Sequence, residues 1–206
     1  MSAFHLNYKE LGRGTPVILV HGFTGSLEVW REQMTGLSSN ARVIGVDLTG
    51  HGDSEKPDIV YTPSIFVNDI KKIFDKLGIE KAVLVGSSMG GFVVEEFCAK
   101  FPERMLGLVL VGTRGKPTLN IEARALEAKQ IGYAEHMKKR TRKSFGHNAS
   151  EELIEETTRL RLKVPEKIAL SIQDAYRSYD PIDNLKKIRV PTLIIVGTED
   201  AITPPR

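Results

Sequence analysis

The sequence predicts an α/β protein with a mostly parallel central sheet flanked by helices. Three observations carry that reading: strand-sized apolar runs that do not alternate, helical patterns lying between them, and one long helical stretch without any strand. The runs are Val17 to Val20, Val43 to Val46, Ala82 to Val85, Leu106 to Val111 and Leu193 to Val196. Continuous valine, isoleucine and leucine suit strands covered on both faces, as in a parallel sheet. Ala3 to Glu10 is expected as an outer antiparallel strand. Helical patterns occupy Leu27 to Leu37, Ser64 to Leu77 and Met89 to Lys100, the second with Phe66, Ile70, Ile73 and Leu77 on one stripe. Thr62 before Pro63 marks its start and Gly78 its stop.

After Thr113 no strand run occurs until Val190. Glu122 to Arg142, Glu151 to Lys163 and Glu166 to Tyr179 read as helices, separated by Gly146 to Asn148 and by Val164 before Pro165. The expected organisation is a core of residues 1–113 and 188–206, with residues 114–187 inserted as a helical cap that encloses a substrate.

A hydrophobic content of 41% in 206 residues is enough to bury one sizeable core. Twenty-nine basic residues against 26 acidic, a net charge of +3, leave no nucleic-acid footprint. The basic run Lys138, Lys139, Arg140, Arg142 and Lys143 reads as a solvated helix face. Cys98 stands alone, which excludes an intramolecular disulfide and suits a buried thiol. The N-terminus has no basic stretch followed by an apolar run, and nothing approaches the roughly 18 apolar residues of a membrane span. The expectation is a cytoplasmic protein with neither a membrane nor a nucleic acid as partner.

The chemistry concentrates at strand ends. Gly86-Ser87-Ser88-Met89-Gly90 follows a strand and opens a helix, the setting that Gly-x-Ser-x-Gly requires. So tight a turn strains its central residue and lifts Ser88 to where a substrate can reach it. The helix beginning at Met89 aims free N–H groups and a positive dipole end at the same place. His21 to Ser26, after the strand Val17 to Val20, supplies a second backbone donor, so that the amides of Phe23 and Met89 form the expected oxyanion hole. His21 is expected to brace its loop through its ring nitrogens rather than to act on substrate. Asp47 to Ser54 reads as a tight surface loop in which His51 is structural. Gly197 to Asp200 brings carboxylates to the sheet's C-terminal edge, where Asp200 is the expected acid and Glu199 the alternative. Phe23, Trp30, Met89 and Phe145 are the candidate apolar pocket walls.

On the blocks His21 to Gly25, Gly50 to Ser54, Gly86 to Gly91 and Gly197 to Pro205, the chain resembles the α/β-hydrolase family. Within it, the Ser-Met-Gly-Gly elbow is similar to that of small esterases, enol-lactonases and carbon–carbon bond hydrolases. The resemblance implies a serine hydrolase that cleaves a small carboxylic ester or lactone through an acyl-enzyme on Ser88, with Asp200 as acid and no metal or organic cofactor. Two alternatives are a carbon–carbon bond hydrolase of ring-fission products and a non-catalytic ligand-binding protein of the same fold.

One departure stands out. The triad of this fold runs serine, acid, histidine along the chain, and no histidine follows Asp200. The family would continue with a helix, another strand, the histidine and a closing helix, so the chain is expected to lack its last strand and helix and, alone, to be crippled. His136 and His147 precede the acid and are poor substitutes. Val190 to Val196 is then expected to form an unprotected apolar edge.

Overall fold

A computed structural model of the chain describes residues 4–115, 121–200 and 202–204. Six strands form one sheet: β1 (Tyr8–Leu11), β2 (Thr15–Val20), β3 (Ala41–Val46), β4 (Ala82–Ser87), β5 (Met105–Val111) and β6 (Thr192–Ile195). Their order across the sheet is β1-β3-β2-β4-β5-β6. Only β1 runs antiparallel, pairing Tyr8 with Val46 and Leu11 with Val43; every other neighbouring pair is parallel. Of the strands at the centre, β2, β3 and β4 expose only Thr15, which is why they read as unbroken apolar runs.

The helices are α1 (Arg31–Leu37), α2 (Pro63–Lys76), α3 (Met89–Lys100), α4 (Ile121–Ile131), α5 (Tyr133–Arg142), α6 (Glu151–Arg161), α7 (Glu166–Ala175) and the short α8 (Ile182–Leu185). On one face of the sheet, Phe66, Ile70 and Ile73 of α2 and Val93, Val94 and Phe97 of α3 pack with Ile18, Val20, Ile44 and Leu84 in the main core. Trp30 and Met34, at the start of and within α1, close the other face over Leu19, Val43 and Val85. Ile168, Ala169 and Ile172 of α7 join the main core, and Tyr176 just beyond lies parallel to Phe66 with ring centroids 6.4 Å apart. Of the helices between β5 and β6, α7 thus shares the apolar interior of the sheet.

Four elements differ from expectation. The outer strand is shorter, because the chain before Tyr8 leaves the ladder for the loop after β3: the Asp47 amide donates to the Asn7 carbonyl at 2.9 Å, and the Asn7 amide to Ser54 Oγ at 2.8 Å. Ala3 lies outside the described residues. The stretch Leu27 to Leu37 opens with a turn of 3-10 helix, Leu27–Trp30. The helix expected over Glu122 to Arg142 is two helices, broken at Gly132, whose φ is 84°. The segment Asp47 to Ser54 is not a surface loop: all but Asp53 is buried. Its Asp47 carboxylate accepts from the Leu27 amide at 2.6 Å, Asn7 Nδ2 at 2.8 Å and the Asp53 amide at 2.9 Å, tying three segments together. β6 is a sheet edge, with Leu193 55% and Ile194 67% exposed. Among the described residues no helix is long and apolar enough to cross a membrane.

Candidate active site

β4 runs into α3 through a single residue, Ser88, held at φ 52° and ψ −116°. A non-glycine residue in that region is strained, and the surroundings must hold it there. They do so through the backbone: the Ser88 amide donates to the Val111 carbonyl at 2.9 Å, and the Ser88 carbonyl accepts from the Gly91 amide at 2.9 Å and from Thr113 Oγ1 at 3.3 Å. Gly86 is required because a β-carbon there would stand 2.4 Å from the Gly90 carbonyl oxygen. The clash that glycine avoids is with the incoming helix, not with the serine side chain.

The loop after β2 passes directly over this bend. A β-carbon on Gly22 would lie 3.2 Å from Ser88 Cβ and 3.8 Å from Ser88 Oγ. Thr24, at φ 56°, and the bond from the Gly25 amide to the Gly22 carbonyl at 3.0 Å close the turn and leave the Phe23 amide at its tip. Met89 is the first residue of α3 and has no intrahelical acceptor for its N–H.

His21 sits beneath this turn, fully buried. Its Nε2 accepts from the Leu48 amide at 3.1 Å, so the proton is on Nδ1, which donates to the Gly22 carbonyl at 2.8 Å. Burial holds its pKa below the ordinary value, against the opposing pull of Asp47 and the Gly22 bond. His51 lies 4.9 Å from the His21 ring and is held well below the ordinary value by burial and by that neighbour. Both rings brace loops.

Asp200 lies on the loop after β6. Its Oδ1 accepts from the Ile202 and Thr203 amides at 2.9 Å and 2.7 Å, and its Oδ2 from Thr203 Oγ1 at 2.5 Å. Burial works to raise the pKa of this carboxyl, but the Thr203 hydroxyl, the two amides and Arg114 outweigh it and hold the group below its usual value. Ser88, Phe23, Gly22 and Asp200 line one cavity of about 520 Å³. A second, of about 110 Å³, also reaches Ser88 and is lined by Phe23, Met89, Phe92, Ile172 and Tyr176. Phe145 borders the larger cavity, whereas Trp30 is packed in the core under α1.

None of the five histidines bonds to Ser88 or Asp200. The His136 ring meets Glu127 at 3.0 Å, and His147, largely exposed, meets Glu199 at 2.9 Å. Glu199 therefore serves a loop contact beside Asp200. The sequence analysis missed Arg114, Arg124, Arg140 and Thr203 at these cavities. Arg140 in particular, expected on a solvated face, has its guanidinium 5.7 Å from the centre of the Phe23 ring. His136, Met137 and Thr141 on the same helix are buried, and that i, i+4 face is the signal that could have shown which way the helix turns.

Comparison with known proteins agrees with this fold. The sequence profile of the alpha/beta hydrolase fold matches residues 15–206. A thermophilic esterase from Thermogutta terrifontis superposes with a TM-score of 0.88 at 32% identity, over 98% of this chain and 78% of that one. The enol-lactonase from Burkholderia xenovorans LB400 has the same fold, with a TM-score of 0.87 at 24% identity over 95% of this chain and 78% of its own. The 2-hydroxymuconate semialdehyde hydrolase of Pseudomonas sp. is 36% identical over 113 residues, 53% of this chain and 40% of that protein. The matched segment spans 32% of the length of the first curated relatives, three uncharacterized mycobacterial proteins.

Proposed function

The chain belongs to the α/β-hydrolase fold family, and we propose that it is a serine hydrolase that cleaves a small carboxylic ester or lactone through an acyl-enzyme on Ser88. The observation that carries this reading is the strained placement of Ser88 at the floor of a cavity that Asp200 also lines. Ser88 Oγ attacks the carbonyl carbon and gives up its proton to a base. The negative charge that develops on the carbonyl oxygen is met by the Phe23 and Met89 amides, whose donors are fixed before reaction. The C–O bond then breaks, the alcohol leaves with a proton, and water attacks the acyl-serine to release the acid.

Asp200 is the acid of this scheme, there to orient an imidazole and stabilise its charged form. Its three hydrogen-bond donors favour the ionised state that this role needs. The imidazole itself is none of the five histidines as they are placed. Residues 114–187 act as the cap, since α7 and its neighbours wall the cavities and so select the substrate. The likeness to esterases supports the reaction class.

A fluorophosphonate, with imidazole added as the base that no histidine of this chain supplies, tests the nucleophile. Peptide mass spectrometry is expected to locate one adduct, on Ser88, and Ser88→Ala is expected to abolish labelling; an adduct on another residue overturns the reading. A second reading keeps the same residues and cleaves a carbon–carbon bond in a ring-fission product, supported by the likeness to the semialdehyde hydrolase. Faster turnover of a vinylogous diketone than of p-nitrophenyl acetate would favour it. A ligand-binding role without catalysis predicts saturable binding with no product.

A further inference from the structure

The smaller cavity over Ser88 carries a charge pattern that the hydrolase reading does not use. Arg114, Arg124 and Arg140 line it, and no aspartate or glutamate does so among the described residues. Guanidinium groups gathered in a half-buried pocket repel one another and give up hydration, so they need an acceptor to make up the loss. Arg140 shows both effects: burial, with Arg124 and Arg161 beside it, lowers its pKa to about 10. Its Nε is buried without a hydrogen-bond partner. The nearby carboxylate of Glu127 is engaged by His136 at 3.0 Å and Lys139 at 3.7 Å.

Arg124 is held down by burial and by Arg114, and among the described residues neither Arg124 nor Arg140 forms an ion pair. The cation–π contact with Phe23 accounts for where the Arg140 guanidinium rests, and it leaves Nε without an acceptor. The Tyr176 hydroxyl is a further buried group at this cavity without a partner. Arg114 already donates to the Ile202 carbonyl, so it is the donors of Arg124 and Arg140 that converge on a space beside the nucleophile with no carboxylate lining it among the described residues.

We propose that this cavity binds a carboxylate carried by the substrate, clamped by Arg124 and Arg140 while Ser88 attacks the ester or lactone carbonyl at the other end. The proposal rests on the serine hydrolase reading and narrows its substrate to half-esters of dicarboxylic acids and lactones bearing a carboxylate. A flat carboxylate accepts two parallel bonds from a guanidinium fork, and a space of about 110 Å³ suits a small anion.

Calorimetric titration of the Ser88→Ala chain, which cannot turn the ester over, tests it with three probes: monomethyl glutarate, the neutral methyl valerate and propyl phosphate. Monomethyl glutarate is expected to bind at least about tenfold tighter than either of the others, with the margin over methyl valerate shrinking as salt rises. Arg124→Gln and Arg140→Gln are each expected to cut that margin by about ten- to a hundredfold. Selectivity between charged and neutral ester is the readout that a merely structural arginine would leave alone. Equal binding of the two esters, tighter binding of propyl phosphate, or a margin untouched by both glutamine variants overturns the proposal. Fluorophosphonate labelling of the unaltered chain, with imidazole added as the base that none of its histidines supplies, separates the two layers. Labelling at Ser88 without carboxylate preference sinks this inference only, whereas carboxylate binding without labelling at Ser88 overturns the hydrolase reading and, with it, the anion's place in a substrate.

Discussion

Glu95 is expected to govern how stability depends on pH. It lies on α3, the helix that Ser88 opens, is 1% exposed, and has an oxygen buried without a partner. Burial alone raises its pKa from 4.5 to about 8. Between those values the unfolded chain has released the proton while the folded chain keeps it, so the folded state binds more protons and stability falls as pH rises. The stabilisation is complete below the lower value and lost once pH passes the upper one. At about 1.4 kcal/mol for each pH unit across that window, the fall is roughly 5 kcal/mol, a large share of the ~5–15 kcal/mol that holds a domain together. Asp69, raised by burial to about 6, adds a loss of the same sign that is finished near that pH. The buried His21 and His51, whose pKa values are lowered, act in the opposite sense, their contribution being lost below about pH 6.5. The range from about pH 6.5 to 8 therefore isolates Glu95. Urea denaturation there is expected to show the parent losing about 2 kcal/mol and Glu95→Gln staying flat. An equal slope in both proteins, or stability that rises with pH in the parent, refutes the reasoning.

Gly86→Ala places a β-carbon 2.4 Å from the Gly90 carbonyl oxygen, and the elbow must open to accept it. A loss of about 3 kcal/mol and slower fluorophosphonate labelling of Ser88 are expected in a melting curve and a labelling time course; parental values for both would contradict the packing account. Because no histidine stands at Asp200, added imidazole is expected to accelerate ester hydrolysis by this chain saturably, recovering part of the roughly millionfold that a missing base costs, and Ser88→Ala is expected to show no such gain. An equal acceleration in both would place the effect outside the site. The apolar β6 edge, with Ile194 67% exposed, is expected to promote concentration-dependent self-association in light scattering. Ile194→Lys should reduce it, and scattering unchanged by that substitution would move the sticky surface elsewhere.

The parts of the molecule that were legible in the sequence share a local cause. β2, β3, β4 and β5 were visible because strands buried on both faces need unbroken apolar residues. The elbow was visible because φ 52° at Ser88 and the 2.4 Å approach at Gly86 restrict residue types within five positions. α2 announced itself through Pro63, its Phe66, Ile70 and Ile73 stripe, and Gly78. What stayed hidden depends on what comes to lie alongside. Asp47 to Ser54 carries the polar and glycine-rich composition of a surface loop, and becomes interior only because Asn7 and Leu27 arrive from elsewhere to bond with Asp47. The expected outer strand begins only at Tyr8, because Asn7 before it bonds to that same loop.

Arg140 shows why specificity is harder to read than reaction class. In the run from Lys138 to Lys143 every residue but Thr141 is basic, and the rotation of α5 separates Arg140, turned toward Phe23, from Lys138 and Lys139, turned to solvent. That rotation is set by burying His136, Met137 and Thr141 against the neighbouring helices, a tertiary event with no marker in any one residue. The bend at Ser88 is built into consecutive residues and is imposed by backbone sterics, while the pocket's charge arises from how separate helices come to rest on the sheet. A chain of this kind can therefore keep its elbow through wide changes in the helices between β5 and β6, and the choice of substrate changes with their packing.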